Sequence, residues 1–442
     1  MKKTLRERLE GNECLAFIFF TVAVFWAAAF ILSSPLEIWE GMVKIVASRD
    51  ALITDYFELG GYGAAFFNSG LVVLTGTLVL RKEKVPFTGL SLAALYINAG
   101  FAFFGKNLLN IIPILLGTIL YAKFHHAKFS RYIYTALFGT CLSPFVTEMI
   151  YILPFDIKVN FLFSIGVGIL IGFILPPLSM HTASMHMGYN LFNVGFSAGI
   201  LAFIIVCVWQ SVGIVPQPVL IWKEGCPLWF TISIYTYFLI AFLYGAWLCK
   251  WDIRKAFRIF RHPGRAVADF ILMDGPGATF MNMAMVGILS ITYILLIGGD
   301  LSGPVWGTIL TAFGFAAFGA HLKNYTPILL GVFLSTFINK FTPITPAIQL
   351  AAIFGVGLAP IAGQFGALAG IVAGALHVAI VTCTNNLYGG LNLYNNGFSC
   401  GWVAIIMVPF VESFISRFKV HPGKKLFIKK NAEKKENGTN GT

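Results

Sequence analysis

Two amide-rich segments are the part of this chain best suited to hold a polar solute. They read YNLFNVGFSAG over residues 189–199 and LNLYNNGFSCG over residues 391–401. Their equivalent asparagines are Asn190 with Asn392 and Asn193 with Asn395. An amide offers donors and an acceptor, so it can bind a polar solute without placing a charge in lipid. Alternatively, these amides satisfy the backbone of a broken helix. Solute or ion contact is the favoured interpretation.

A second repeated motif, G-x-G-A-x-F-x-N, opens an apolar segment in each half of the chain. Its candidate binding residues are Gly61, Gly63 and Asn68, with Gly275, Gly277 and Asn282 as their counterparts. Paired glycines let the backbone turn sharply and leave free N–H groups at a helix start, where a polar or anionic group can bind. The alternative is that these glycines only allow helices to pack closely.

A third motif, F-G-x-x-L-x-P, is followed by Glu148 in one half and Gln364 in the other. A carboxylate inside an apolar segment is costly and suggests a function. Glu148 could carry a coupling proton opposite the neutral Gln364. Alternatively, it lies at the end of its helix in the headgroup region.

The elements that carry these motifs are membrane helices. Of 442 residues, 57% are hydrophobic and 11% charged, whereas soluble domains carry about 25% charged residues. Repeated long apolar runs predict an all-α polytopic membrane protein in contact with the lipid bilayer. The net charge of +12 comes from short loops and a tail, which indicates membrane orientation and no nucleic-acid partner.

Enzyme signals are missing from the sequence. The seven cysteines are scattered without a C-x-x-C pair, and no Walker or Rossmann fingerprint occurs. We therefore expect no metal site, no cofactor and no enzymatic activity. Lys106, in a short turn, is expected to extend its ammonium to the membrane interface.

The motifs belong to an internal duplication. The matched blocks are 55–68 with 269–282, 104–117 with 318–331, 137–148 with 353–364, and 189–199 with 391–401. The predicted parts are a cytoplasmic N-terminus (1–13), a first membrane repeat (14–215), an external connector (216–227), a second repeat (228–416) and a basic cytoplasmic tail (417–442).

Loop charges predict that the second copy is inverted. In the first copy, the loops at 81–87 and 122–131 are basic, and the loop before the second segment is acidic. In the second copy, the loop before the second segment, 250–266, is basic. The positive-inside rule places all three basic loops in the cytoplasm. Seven apolar segments per copy, an odd number, give a 7+7 inverted repeat with both termini cytoplasmic.

The paired blocks GGYGAAFFN with DGPGATFMN, and YNLFNVGFSAG with LNLYNNGFSCG, resemble a family of duplicated bacterial membrane proteins known as domain of unknown function 1576. The resemblance covers nearly the whole chain and implies no activity. The 7+7 count is similar by architecture to that of nucleobase and anion transporters.

Inverted repeats are typical of transporters that bind solute near the membrane midplane. We expect a secondary transporter for a small polar solute in the cytoplasmic membrane, with proton coupling through Glu148 as an option. The alternative is a passive channel for a small neutral molecule or ion, and the remote alternative is a membrane-embedded enzyme. Assembly into a homo-oligomer is compatible with the sequence.

Overall fold

A computed structural model describes residues 12–50, 53–217 and 219–419 of the chain. The first copy folds as helices α1 (Glu13–Leu32), α2 (Pro35–Val46), α3 (Tyr56–Leu59), α4 (Gly61–Lys82), α5 (Gly89–Phe101), α6 (Leu108–Phe124), α7 (Ile133–Gly139), α8 (Ser143–Ile152), α9 (Ile157–Met185) and α10 (Asn193–Ser211). The 3-10 turn Thr140–Leu142 joins α7 to α8.

The second copy repeats this order. Its helices are α11 (Leu228–Leu248), α12 (Arg254–Arg258), α13 (Phe270–Asp274), α14 (Pro276–Leu296), α15 (Gly303–Phe315), α16 (Leu322–Ser335), α17 (Pro346–Phe354), α18 (Ala359–Phe365), α19 (Ala367–Thr384) and α20 (Asn395–Lys419). The 3-10 turn Gly355–Leu358 joins α17 to α18. Two short parallel strands, β1 (Ile53–Thr54) and β2 (Leu220–Ile221), link the loops at one end.

All seven apolar segments of each copy form helices, but they differ in length. Within the described residues, ten segments are long and apolar enough to cross a membrane, five in each copy. Helices α5 and α15 have only 13 residues each, which cover about 20 Å of a hydrocarbon core about 30 Å thick. Helices α5 and α15 are buried along nearly their whole length and lie inside the protein, whereas the helices that follow them, α6 and α16, each expose one side. An odd number of crossings in the first copy, whether five or seven, makes the second copy start on the opposite side of the membrane and so gives it the inverted orientation.

Equivalent helices run in opposite directions, which confirms the inverted repeat. Helix α5 begins where α15 ends, since a Cβ on Gly89 would lie 2.2 Å from the carbonyl oxygen of Ala317. Reciprocally, a Cβ on Gly303 would lie 2.7 Å from the carbonyl oxygen of Phe103, at the end of α5. Both contacts require glycine because no side chain fits there. The two copies are thus related by a pseudo-two-fold axis perpendicular to α5 and α15.

Two equivalent aspartates hold the copies together. Asp55 of the first copy accepts a hydrogen bond from the N–H of Gly303, which opens α15 (3.1 Å). Asp269 of the second copy accepts bonds from the N–H groups of Gly89 (2.9 Å) and Leu90 (3.2 Å), which open α5. Each carboxylate therefore caps a helix of the other copy and interacts favourably with its dipole.

The loops gather at two ends of the molecule. Asp269 follows loop 250–266 and accepts a hydrogen bond from Gly89, shortly after loop 81–87. Tyr134, just after loop 122–131, bonds Ser91 of α5 (2.7 Å). These three loops form what we name the basic end. At the opposite, acidic end, loops 47–60, 212–227 and 297–302 meet through the paired strands and the bond from Trp222 Nε1 to Asp300 Oδ2 (2.8 Å).

Candidate functional site: two equivalent cavities at the amide segments

The amide segments of the two copies meet near the pseudo-two-fold axis. Gly195 and Gly397 are equivalent residues, and a Cβ on Gly397 would lie 2.9 Å from the Cα of Gly195. Asn190 Nδ2 donates across this contact to the carbonyl oxygen of Gly397 (3.2 Å). Residues that touch their own counterpart lie close to the axis, so the segments occupy the middle of the molecule.

Within that region, Asn193 and Asn395 each bond mainly to their own copy. Asn193 Oδ1 accepts from Thr182 (3.0 Å) and contacts His186 Nε2 (2.9 Å), and its Nδ2 donates to a carbonyl of α9. Asn395 Oδ1 accepts from Thr384 (2.9 Å) and Tyr388 (2.7 Å). Each amide thus joins the start of one broken helix to the end of the helix before it.

Asn190 and Asn392 shape the turns that enter α10 and α20. Each side-chain oxygen accepts the N–H two residues ahead, that of Phe192 (2.9 Å) or Tyr394 (3.0 Å). Asn190 also makes the bond to Gly397, but the side-chain nitrogen of Asn392 is buried without a hydrogen-bond partner among the described residues. The two segments are therefore alike in sequence and unlike in their contacts.

A cavity of about 550 Å³ lies between the first amide segment and the basic end. Asn190, Asn193 and His186 line its inner wall, and Arg265 and Val267 line the outer part. Val267 is 81% exposed, so the cavity is open at the basic end. No carboxylate lines it among the described residues. Amide, imidazole and guanidinium groups suit a small polar solute.

The equivalent cavity, at the acidic end, has almost collapsed to about 30 Å³. Eight residues that line it are counterparts of residues that line the open cavity: Ile53 (Val267), Phe104 (Phe318), Leu350 (Tyr134), Phe354 (Phe138), Asn392 (Asn190), Leu393 (Leu191), Asn395 (Asn193) and Asn396 (Val194). Ile53 is 4% exposed, against 81% for Val267. The fold therefore contains two equivalent cavities, one open at the basic end and one closed at the acidic end.

An ion pair fastens the loop over the collapsed cavity. Arg49, in the loop that carries Ile53, donates through Nε to Glu148 Oε2 (3.0 Å) and through Nη2 to Oε1. Glu148 is fully buried in α8, while the side chain of Arg49 is 37% exposed. The other predicted coupling residue, Gln364, is exposed at the end of α18. The two positions thus have different environments.

Asp50 anchors the same loop from the inside. Its carboxylate accepts hydrogen bonds from Tyr56 (2.8 Å), Asn110 (3.1 Å) and Thr147 (3.0 Å) and is completely buried. Burial raises the pKa of this carboxyl above its usual range, and the hydrogen bonds from the three side chains oppose that shift. Sequence reasoning missed Arg49, although it is the one basic residue in the stretch 47–60.

The glycine motif lies in another part of the fold. Gly61 and Gly275 have positive φ angles of 80° and 85°, a conformation that glycine adopts readily. A Cβ on Gly63 would lie 2.5 Å from Ser33, beside α1, and one on Gly277 would lie 2.7 Å from Cys249, beside α11. These two glycines therefore allow close packing and do not lie beside the amide segments in the structure.

Asn68 and Asn282 make identical structural bonds. Asn68 Nδ2 donates to the carbonyls of Ala102 (2.7 Å) and Lys106 (2.9 Å), and Asn282 Nδ2 donates to those of Ala316 (2.8 Å) and Ala320 (2.9 Å). Both donors of each amide satisfy the turn after α5 or α15. Each Oδ1 is buried without a hydrogen-bond partner in the described part of the chain.

Lys106 contradicts its sequence prediction. Its side chain does not reach the interface, because the residue is completely buried. The reason is the length of α5: its 13 residues end inside the protein, so the turn that carries Lys106 is an internal one.

For metals, the described ranges contain no group of three or more His, Cys, Asp or Glu side chains that could hold an ion.

Comparison with known proteins identifies the family of the chain. No curated protein and no solved structure matches it. The family model described as "Protein of unknown function (DUF1576)" matches residues 34–211 and 249–413, which together exceed half of the chain. The two matched regions coincide with the two inverted copies without α1 and α11. The chain is a duplicated, multi-pass membrane protein that belongs to this family of unknown function.

Proposed function

We propose that the protein is a secondary transporter that moves a small polar solute across the cytoplasmic membrane by alternating access. The observation that carries this proposal is the pair of equivalent cavities, about 550 Å³ at the basic end and about 30 Å³ at the acidic end. In an inverted repeat, each copy can adopt the conformation of the other. That exchange would close the cavity at Val267 and open the one at Ile53.

The size and lining of the open cavity support a small solute. Its volume lies within the range of about 300–1,000 Å³ typical of small-molecule sites. Arg265 is the one lining residue with a fixed charge among the described residues, and amides supply most of the inner polar groups. Such a lining favours a solute that is recognised through hydrogen bonds.

We further propose that the basic end faces the cytoplasm, with both termini on that side. The positive-inside rule supports this orientation for loops 81–87, 122–131 and 250–266. Single cysteines in loop 250–266 should react with a membrane-impermeant maleimide only in inverted vesicles or opened cells. Reaction in intact cells would overturn the orientation.

Alternating access can be tested at Val267 and Ile53. Each would be replaced by cysteine in a background that lacks the exposed Cys207 and Cys383 and the half-buried Cys226. A transporter should show opposite changes in the two maleimide reaction rates, because opening one cavity closes the other. The two maleimide reaction rates would be compared at different temperatures, at different pH values and with different added solutes.

A channel would give a different result in the same experiment. Because it needs a continuous path, its open state should expose both cysteines together. Rates that rise and fall in parallel would favour the passive channel for a small neutral molecule or ion over the transporter. The proposal assigns no catalytic step to the protein.

Proton coupling forms part of the proposal, and Glu148 is one candidate for the coupling group. Its carboxylate holds Arg49 and thereby the loop over the collapsed cavity. Protonation of Glu148 would release that pair and favour opening at the acidic end. If Glu148 carries the proton, the variant Glu148→Gln, which matches Gln364, loses the response of the cavities to pH; if another group carries it, the response remains.

A further inference from the structure

Lys106 is a completely buried lysine within the first copy. Its side-chain nitrogen, Nζ, donates to Asn98 Oδ1 (2.8 Å) and Thr140 Oγ1 (2.8 Å). It also lies 5.0 Å from the centre of the Phe101 ring. All three neighbours are uncharged, so the protein provides a polar cradle for this nitrogen without a counter-ion.

The other titratable groups around Lys106 do not supply that counter-ion. Cys141 follows Thr140 and is a buried free cysteine, and Tyr394 packs edge-to-face against Phe101 (5.5 Å between ring centres). The carboxylates of Asp50 and Asp55 bond to other groups. No ion pair among the described residues involves Lys106.

The second copy lacks this cradle. The counterparts of Lys106, Asn98 and Thr140 are Ala320, Ala312 and Val356. All three counterparts are apolar, whereas Asn68 and Asn282 keep identical bonds in the two copies. A group needed only to build the fold would be expected in both halves. The buried amine is instead a specialised feature of one half.

The cradle is connected to the collapsed cavity. The carbonyl of Cys141, next to Thr140, accepts the N–H of Leu393 (3.2 Å). Leu393 lines the collapsed cavity and fills the space above Gly105, where a Cβ would lie 2.5 Å from its side chain. A change at the Lys106 nitrogen can therefore reach Leu393 along two routes, through Thr140 and through Gly105.

We propose that Lys106 carries the proton that couples solute movement to the proton gradient, a role that rests on the proposed transport function. The step is the binding of one proton by the ε-amine, which gives the ammonium, and its release on the opposite side. A charge at membrane depth without a counter-ion is costly. The protonated form therefore favours the state in which the cavity at Leu393 opens and admits water.

Glu148 is less suited to this role. It already has a counter-ion in Arg49, whereas Lys106 has none in the described structure. We assign the Arg49–Glu148 pair to holding the loop closed and the proton to Lys106. The two residues can be separated because only one of them should control the response to pH.

The test compares the reaction rates of Ile53→Cys and Val267→Cys protein with a membrane-impermeant maleimide in lipid nanodiscs over a range of pH. The ratio of the two rates removes the common pH dependence of thiol reactivity. As pH falls, the ratio should rise in favour of Ile53→Cys, by up to about tenfold per pH unit, the limit for one proton. In the Lys106→Met background the ratio should not change with pH.

Glu148→Gln is the matched control and should keep the pH dependence of the ratio. A persistent slope in Lys106→Met, or a slope lost in Glu148→Gln alone, would overturn the assignment to Lys106. If Lys106→Met does not fold, Thr140→Val removes one acceptor and should shift the pH at which the ratio changes. An unshifted transition would also reject the proposal. Parallel labelling of both cysteines under all conditions would instead refute alternating access itself.

Discussion

The two cavities share eight equivalent lining positions and have very different volumes. At the basic end, Arg265 and Val267 lie open around about 550 Å³. At the acidic end, Ile53 and Leu393 close on about 30 Å³. The shared residues come from the duplication, so they cannot explain which cavity is closed. That choice depends on residues that differ between the copies.

Some of the residues that differ between the copies lie in the two loops that cover the cavities. The first-copy loop carries Arg49 and Asp50, and their bonds to Glu148, Asn110 and Thr147 fasten it to the helices behind. The corresponding second-copy residues are Pro263 and Gly264, which have no side-chain donor or acceptor. The duplication therefore supplies two equivalent cavities, and the loop that Arg49 and Asp50 fasten covers the one that is closed in the structure.

The largest loss of stability is expected from removing one of the two carboxylates that hold the copies together. Asp55→Ala leaves the N–H groups of Phe57, Lys223 and Gly303 without their acceptor. Each unpaired buried N–H costs about 1–3 kcal/mol, so the unfolding temperature in detergent should fall sharply. Asp269→Ala should act similarly through α5.

Asp156→Ala is the control for this pair of variants. Asp156 caps α9 with a single bond to the N–H of Lys158 (2.9 Å) at an exposed position. Its loss should cost about 1 kcal/mol. Unfolding temperatures that fall no further in Asp55→Ala than in Asp156→Ala would show that the reciprocal caps do not hold the copies together.

The internal symmetry could be predicted from the sequence because duplication leaves constant offsets between matched residues. The offset of 214 pairs Asp55 with Asp269 and Gly89 with Gly303, and these four residues make a reciprocal pair of contacts between the copies. The basic loops of the two copies predicted that the second copy is inverted. Such signals are local, or repeat at a fixed distance along the chain.

The asymmetry could not be predicted in the same way. The pair Arg49–Glu148 joins residues 99 positions apart, and nothing in either segment points to the other. Lys106 was misassigned because a lysine in a short turn normally reaches the interface. The turn is buried because the short α5 stops inside the protein. Depth within the membrane depends on helix packing, which the hydrophobic pattern does not report.

A smaller effect is expected from releasing the loop over the collapsed cavity. Arg49→Ala removes the hydrogen bonds to Glu148, and bonds to a charged group contribute about 1.5–3 kcal/mol when buried. Arg49 is partly exposed, so we expect about 1.4 kcal/mol, a tenfold increase in the labelling of Ile53→Cys. The increase should come with slower labelling of Val267→Cys.

The control for Arg49→Ala is Lys223→Ala, which breaks the exposed pair with Glu58 at the same end (2.9 Å). Exposed pairs contribute little, so labelling of Ile53→Cys should stay close to its starting rate. An equal rise in both variants would mean that general loosening of the acidic end, and not the Arg49–Glu148 pair, controls the closed cavity.

The smallest predicted effect is a difference in stability between variants of the two amide segments. Asn395 is buried, and Asn395→Ala removes the acceptor of the Tyr388 hydroxyl and one of the two acceptors of the Thr384 hydroxyl, at a cost of about 1 kcal/mol or more. Asn193 is half-buried beside the open cavity, so water can replace its amide in Asn193→Ala, and the loss should stay within about 0.5 kcal/mol. Thermal unfolding of the purified variants measures both. Equal losses would mean that the unequal cavities do not reflect unequal packing of the amide segments.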